Sequence, residues 1–192
     1  MSNQKQLWVL AGGNGAGKST FYKLYLKHRG LHFVNADLIA SDLSADDPEG
    51  VSYEAAYLAE KIRFQLLKEG ASFCFETVYS HPSKIDFVAH AKALGYKVIL
   101  VYIHLSQPNL NMARVRQRVS EGGHDVPMEK IKTRIPRTII NVGKTISLAD
   151  EVRLLDNSSR SSPFKLIATL KKGALLDKDE NLTDWARQIL KG

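Results

Sequence analysis

The sequence predicts an α/β fold: a parallel sheet with helices on both faces and a helical lid. A short apolar run, Leu7 to Ala11, breaks into glycines and then opens a helix. Strand-like apolar runs alternate with amphipathic helical stretches along most of the 192 residues. The run from Lys97 to Leu105 is apolar throughout Val98 to Ile103, as a strand buried on both faces of a parallel sheet must be.

A chain of 192 residues with 44% hydrophobic content suits a single domain, 1–192, with the lid at about 107–146. No stretch approaches the roughly 18 apolar residues of a membrane span. The polar start Met1-Ser2-Asn3-Gln4-Lys5 lacks a signal-peptide core, so the expected location is cytoplasmic, with no membrane partner. The lone Cys74, between Phe73 and Phe75, excludes an internal disulfide and reads as a core residue of a strand rather than a nucleophile. A net charge of +7 favours anionic partners. Its cations are dispersed, without a Lys/Arg block or interleaved aromatics, which makes nucleic acid the weaker reading.

Gly12-Gly13-Asn14-Gly15-Ala16-Gly17-Lys18-Ser19 spells the P-loop pattern G-x-x-x-x-G-K-[ST] between a strand and a helix. Wrapping a triphosphate requires backbone N–H groups turned inward, with φ angles and close approaches that a Cβ resists, which is why Gly12, Gly13, Gly15 and Gly17 suit the loop. The helix N-terminus places its unpaired N–H groups on phosphate, Lys18 reaches the β and γ oxygens, and Ser19 offers a hydroxyl to Mg²⁺. Thr20 adds a second hydroxyl, for capping or for the α-phosphate. The cofactors expected are therefore ATP and Mg²⁺.

In chain order, the first helix is expected to run to about Lys27 with Phe21, Leu24 and Tyr25 facing the core, and Gly30 to stop it. A strand over Leu31 to Val34 leads into Asn35-Ala36-Asp37 and a short helix. Asp37 stands at the strand tip, where open α/β sheets bind ligands; it is either a base for an attacking hydroxyl or the cap of the helix it begins. The polar loop 44–50 precedes a long amphipathic helix, 51–69, with Tyr53, Ala56, Tyr57, Ala59, Ile62, Leu66 and Leu67 on one face. The strand Ser72 to Phe75 then delivers Glu76, a second carboxylate aimed at the same crevice, for substrate binding or water-mediated support of Mg²⁺, with Thr77 and Ser80 as neighbours. His81 and His90 have no metal-ligand spacing. A helix over about Ser83 to Ala93, capped by Gly95, returns the chain to the strand at Lys97.

Next come two basic helices, one with Arg114, Arg116 and Arg118, the other with Lys130, Lys132, Arg134 and Arg137, joined by Gly122-Gly123-His124. Such a pair suits a closing lid in phosphoryl transfer, where charge spreads over phosphoryl oxygens and water must be kept out. Arg118 and Arg134 are the candidate phosphate clamps, Arg114 and Arg137 their alternatives, and His124 a residue of the turn or a phosphate contact. A strand ending in Asp156-Asn157-Ser158 lines the adenine side or closes an Asx turn. A hairpin with Lys171-Lys172-Gly173 at its turn and a terminal helix bearing Trp185 complete the chain.

Together these motifs resemble the zeta toxin family of P-loop kinases, in its compact stand-alone branch, over about residues 6–158. The resemblance rests on the P-loop, Asn35-Ala36-Asp37, Phe75-Glu76-Thr77, Arg114-Val115-Arg116-Gln117-Arg118-Val119 with Gly122-Gly123-His124-Asp125-Val126-Pro127, Arg134-Ile135-Pro136-Arg137 and Asp156-Asn157-Ser158. It implies a P-loop kinase-like fold and ATP-dependent phosphorylation of a sugar hydroxyl of UDP-N-acetylglucosamine, with an antitoxin as inhibitory partner. By resemblance Lys18 and Ser19 bind ATP and Mg²⁺, Asp37 is the base, Glu76 contacts substrate, and Arg118 and Arg134 clamp phosphate. The chain departs from the family after Glu76, where Thr77-Val78-Tyr79-Ser80 replaces a glycine, a threonine and a following arginine. The expected function is transfer of the γ-phosphoryl group to a small-molecule hydroxyl. The alternatives are another sugar, nucleoside or antibiotic acceptor, or a P-loop ATPase or switch acting through a protein partner.

Overall fold

The computed structural model describes residues 4–120 and 126–191, the side chain of Arg118 excepted. Among these residues seven strands form one sheet: β1 (Gln6–Ala11), β2 (His32–Val34), β3 (Phe73–Thr77), β4 (Lys97–His104), β5 (Glu151–Asp156), β6 (Lys165–Lys171) and β7 (Ala174–Lys178), in the spatial order β2-β3-β1-β4-β5-β6-β7. The first five are parallel, with β1 between β3 and β4. β6 and β7 are antiparallel, so the sheet is mixed where a parallel one is expected. The β6–β7 turn places Lys172 and Gly173 both at positive φ, the tight hairpin turn expected at Lys171-Lys172-Gly173, and β6 also runs antiparallel to β5.

Alternation along the central strands sorts the core into two layers. Leu7, Val9 and Ala11 of β1 and Val98, Leu100 and Tyr102 of β4 face one side; Trp8, Leu10, Ile99, Val101 and Ile103 face the other. Cys74 is fully buried in the second layer, and burial pushes its thiol pKa up, as a core residue requires. The first layer is covered by α3 (Ser52–Glu69), α4 (Ser83–Ala93), α6 (Met128–Thr145) and α7 (Asp184–Leu190); the second packs on α1 (Lys18–Phe21) and the turns that prolong it. Two further helices, α2 (Ala36–Leu43) and α5 (Pro108–Ser120), follow β2 and β4. No helix among the described residues is long and apolar enough to cross a membrane.

Two helix faces differ from expectation. After Phe21 the chain winds as a π-helix over Tyr22–Leu26 and a 3₁₀ turn over Lys27–Arg29. The wider winding brings Phe21 and Leu26, five apart, to the core and leaves Leu24 and Tyr25 exposed. In α3 the buried stripe is Ala55, Ala59, Arg63, Leu66 and Leu67, while Tyr53 and Tyr57 face outward. Ala55 and Ala59 hold the first half of the inner face and Arg63, Leu66 and Leu67 the second, and the large aromatics fall beside that stripe.

The terminal helix docks through Trp185, whose ring lies 4.6 Å from that of His104 at the end of β4. His104 is buried, 2.8 Å from the Tyr102 hydroxyl through Nδ1, and its pKa falls from 6.5 to about 4, chiefly by burial, with Asp156 opposing. The unfolded chain takes up that proton near pH 6.5 and the folded one only near 4, so stability rises with pH across this window and is lost on acidification. The expected loss is up to about 3 kcal/mol at 1.36 kcal/mol per pH unit. Urea melts between pH 6.5 and 4.5 should show a steeper fall for the native chain than for His104→Gln; equal slopes would remove His104 as the cause.

Candidate functional site

The P-loop leaves β1 between the tips of β3 and β4, and its glycines are enforced by neighbours as well as by any ligand. A Cβ on Gly12 would collide with the Ile103 carbonyl of β4. Gly17, at φ +98°, would bring a Cβ to 2.6 Å from Nδ2 of Asn157. Outside the loop two asparagines brace it. Asn111 of α5 donates from Nδ2 to the Asn14 carbonyl at 2.7 Å, and Asn157 donates from Nδ2 to the Ala16 carbonyl at 2.9 Å. Asn157 also accepts from the Phe164 amide through Oδ1, and its carbonyl accepts from Arg114 at 2.8 Å. Asn111 is not legible as a site residue in the sequence, and Asn157 is legible only as a member of Asp156-Asn157-Ser158, because each bracing bond is made across more than ninety residues. Asp156 does close an Asx turn, accepting from the Ser158 amide at 2.7 Å, and Asn157 braces the loop.

Lys18 is buried, its ammonium donating to the Gly12 and Gly13 carbonyls at 2.9 and 3.0 Å and standing 3.6 Å from Oε1 of Glu76. The other oxygen of Glu76 accepts from Ser19 Oγ at 2.6 Å and from Asn35 Nδ2 at 3.0 Å. One carboxylate at the tip of β3 thus joins the P-loop to the end of β2. Asn35 has a second duty: its Oδ1 accepts from the Asp37 amide at 2.8 Å and caps α2. Capping therefore falls to Asn35, and Asp37 lies in the first turn with its residue exposed. Thr20 is exposed as well, with no capping bond at the helix start.

These residues line a cleft of about 420 Å³ at the carboxyl ends of the strands, where Lys18, Asp37, Glu76, Thr77, Ser80 and Arg134 come together. Among the lid arginines, Arg134 faces this cleft half-buried, Arg137 is exposed, and Arg114 is engaged with Asn157. The Arg118 side chain and Gly122, Gly123 and His124 lie outside the described residues. The segment after Glu76 is held rigidly. Tyr79 is buried at φ +65°, its amide donating to Thr77 Oγ1 and its carbonyl accepting from Asn141 Nδ2, while Thr138 donates to the Val78 carbonyl and the Tyr79 hydroxyl meets Thr145 at 2.9 Å. A bulky residue in that backbone region persists only where its surroundings over-determine it, and here α6 does so. The C-terminal half of α6 is accordingly part of the core, with Ile139 and Val142 packed in the first layer.

The loop fits a nucleoside triphosphate. Gly15 and Gly17 carry the positive φ that lets neighbouring N–H groups converge on an anion. Ser19 and Glu76 place a hydroxyl and a carboxylate oxygen side by side, a donor set suited to Mg²⁺ completed by phosphate oxygens.

A family model described as AAA domain matches residues 7–137. A Haemophilus influenzae (strain ATCC 51907 / DSM 11121 / KW20 / Rd) protein, described only as uncharacterized, is 29% identical over 138 residues, 68% of this chain and 98% of that protein. The fold is shared with the crystal structure of AvrRxo1-ORF1:-ORF2 with ATP (TM-score 0.74, 20% identity), matched over 91% of this chain and 61% of that one; the chain thus spans about three fifths of that relative. It is shared also with the PezAT chromosomal toxin-antitoxin system of Streptococcus pneumoniae (TM-score 0.68, 18% identity), over 98% of this chain and 78% of that one. A P-loop kinase-like architecture follows, with a mixed seven-stranded sheet and helices on both sides.

Gly17→Ala should abolish binding of a non-hydrolysable ATP analogue, since the added methyl meets both an unfavourable φ and Asn157. Gly30→Ala, also at positive φ but with open space around it, is the control and should bind normally. Equal titrations for the two in calorimetry would deny the crowding its role.

Proposed function

The chain belongs to the AAA domain family, and on that premise we propose that it is an ATP-dependent kinase transferring the γ-phosphoryl group to a hydroxyl of a small molecule. The observation that carries this reading is the single cleft in which the P-loop lysine, two strand-tip acids and Arg134 meet. Bound ATP with Mg²⁺ supplies the phosphoryl group and part of the charge neutralisation. Lys18 is the β/γ-phosphate ligand, and Ser19 with Glu76 holds the metal. To serve in this way both must leave their present partners, because Glu76 occupies the Ser19 hydroxyl and the Gly12 and Gly13 carbonyls hold Lys18.

Asp37 is the base, taking the acceptor's proton as its oxygen attacks. Its place on the first turn of α2, beyond the cap that Asn35 supplies, puts its carboxylate on the cleft wall. Thr77 shapes the acceptor loop through its bond to the Tyr79 amide, and Ser80 lines the acceptor side. Arg134, and Arg118 with it, clamp the transferring phosphoryl, supplying bidentate cations at the moment charge spreads. Positioning and electrostatics provide the rate, with no covalent intermediate. The lead acceptor is a UDP-N-acetyl sugar and the corresponding partner an antitoxin, a reading supported by the shared fold of the PezAT toxin-antitoxin system. The reaction belongs in the cytoplasm, with the ATP pool.

Transfer of labelled γ-phosphate from ATP to an acceptor panel led by UDP-N-acetylglucosamine is the test, with Lys18→Ala as the blank. Asp37→Asn should retain ATP affinity and lose about 10²-fold or more in rate. Label on no acceptor, together with ATP hydrolysis stimulated by a protein partner, would replace the kinase with a switch.

A further inference from the structure

Opposite the P-loop, the cleft wall carries two cations for which phosphoryl transfer has no use. Arg63 enters from α3, only 5% exposed, inside a helix stripe that otherwise consists of Ala55, Ala59, Leu66 and Leu67. Its guanidinium lies over the rings of Phe75 and Phe87, 5.1 and 5.4 Å from their centroids. This stacking occupies the faces of the group and leaves its edge available. Nε is buried and has no hydrogen-bond partner. Lys84, half-buried in the first turn of α4, lines the same cleft.

Each of these placements is costly without a ligand. A buried guanidinium with an orphaned N–H forfeits hydration that nothing replaces. A lysine in the first turn of a helix opposes the dipole, where an anion is favoured. The two cations also repel one another, and Glu60 is the acid that relieves both. Burial lowers both pKa values, with Arg63 adding to the effect on Lys84. The cleft as a whole holds five cationic side chains, Lys18, Arg63, Lys84, Lys130 and Arg134, against the acids Asp37, Glu49 and Glu76. An oxyanion from the ligand resolves all three costs together: it accepts from the guanidinium edge and the ammonium, and it faces the N-terminus of α4.

We infer that Arg63 and Lys84 form an oxyanion subsite for the acceptor, so that the substrate is a hydroxy compound carrying a carboxylate or phosphate, anchored by that group while its hydroxyl meets Asp37. The inference rests on the kinase reading and narrows it to anionic acceptors.

The test is equilibrium binding of inorganic phosphate and, separately, of acetate to the full chain, with the P-loop saturated by a non-hydrolysable ATP analogue and Mg²⁺. The native chain should bind at least one of the two ions, and the better binder identifies the anchoring group as phosphate or carboxylate. Arg63→Met and Lys84→Met should each weaken that ion about tenfold or more while leaving the analogue's affinity unchanged. Arg63→Lys should recover part of the loss. No ion bound by the native chain, or native affinity in both variants, overturns the subsite and leaves Arg63 as packing for Phe75 and Phe87. If Arg63→Met melts, the half-buried Lys84→Met carries the test. Failure of the kinase reading reads out separately, as ion binding intact with phosphate transferred to no acceptor, neutral or anionic.

Discussion

The site depends on one buried ion pair, Lys18 with Glu76. An ammonium and a carboxylate in a protein interior lose several kcal/mol of hydration each, and their attraction repays this only when the remaining donors and acceptors are also satisfied. Here they are. Two P-loop carbonyls share the lysine, while Ser19 and Asn35 share the far oxygen of the glutamate. The result is a knot at the tips of β1, β2 and β3, and its geometry sets where the loop, the cap of α2 and the acceptor segment begin. Lys18 and Ser19, the last two residues of the P-loop motif, are thereby each held by a partner within the chain.

The other half of the cleft owes its shape to a helix. Thr138, Asn141 and Thr145 of α6 fasten the backbone from Val78 to Tyr79 and keep Tyr79 in a conformation it would not choose alone. The same helix carries Arg134 half-buried at the cleft and Ile139 and Val142 in the core. The last two turns of α6 are thus fixed to the segment that follows Glu76, since three of their side chains hold Val78 and Tyr79.

Much of this was legible in the sequence, and the rest fails for physical reasons. The P-loop, Asp37 and Glu76 were readable because each follows a strand directly, so that topology alone delivers it to the cleft. The antiparallel pairing of β6 with β7 is legible in the turn at Lys171-Lys172-Gly173, whereas that of β6 with β5 is not, because an apolar run does not encode direction. A 3.6-residue period turns Leu24 and Tyr25 inward, and the π-helical segment does not follow it. Arg63 is a visible anomaly on a stripe of alanines and leucines, but the large Tyr53 and Tyr57 point the apolar face of α3 elsewhere and obscure it. The bonds of Asn111 and Asn157 to the P-loop are beyond the reach of the sequence, because packing across the chain makes them.

The brace between Asn157 and Ala16, 141 residues apart in the chain, bears on how the protein comes into being. A ribosome emits the P-loop well before Asn157, so the loop lacks this support until β5 has been synthesised and laid beside β4. A nascent chain halted before that point carries the whole P-loop sequence without the Asn157 brace. The loop therefore owes one of its two side-chain braces to a residue synthesised 141 positions after Ala16.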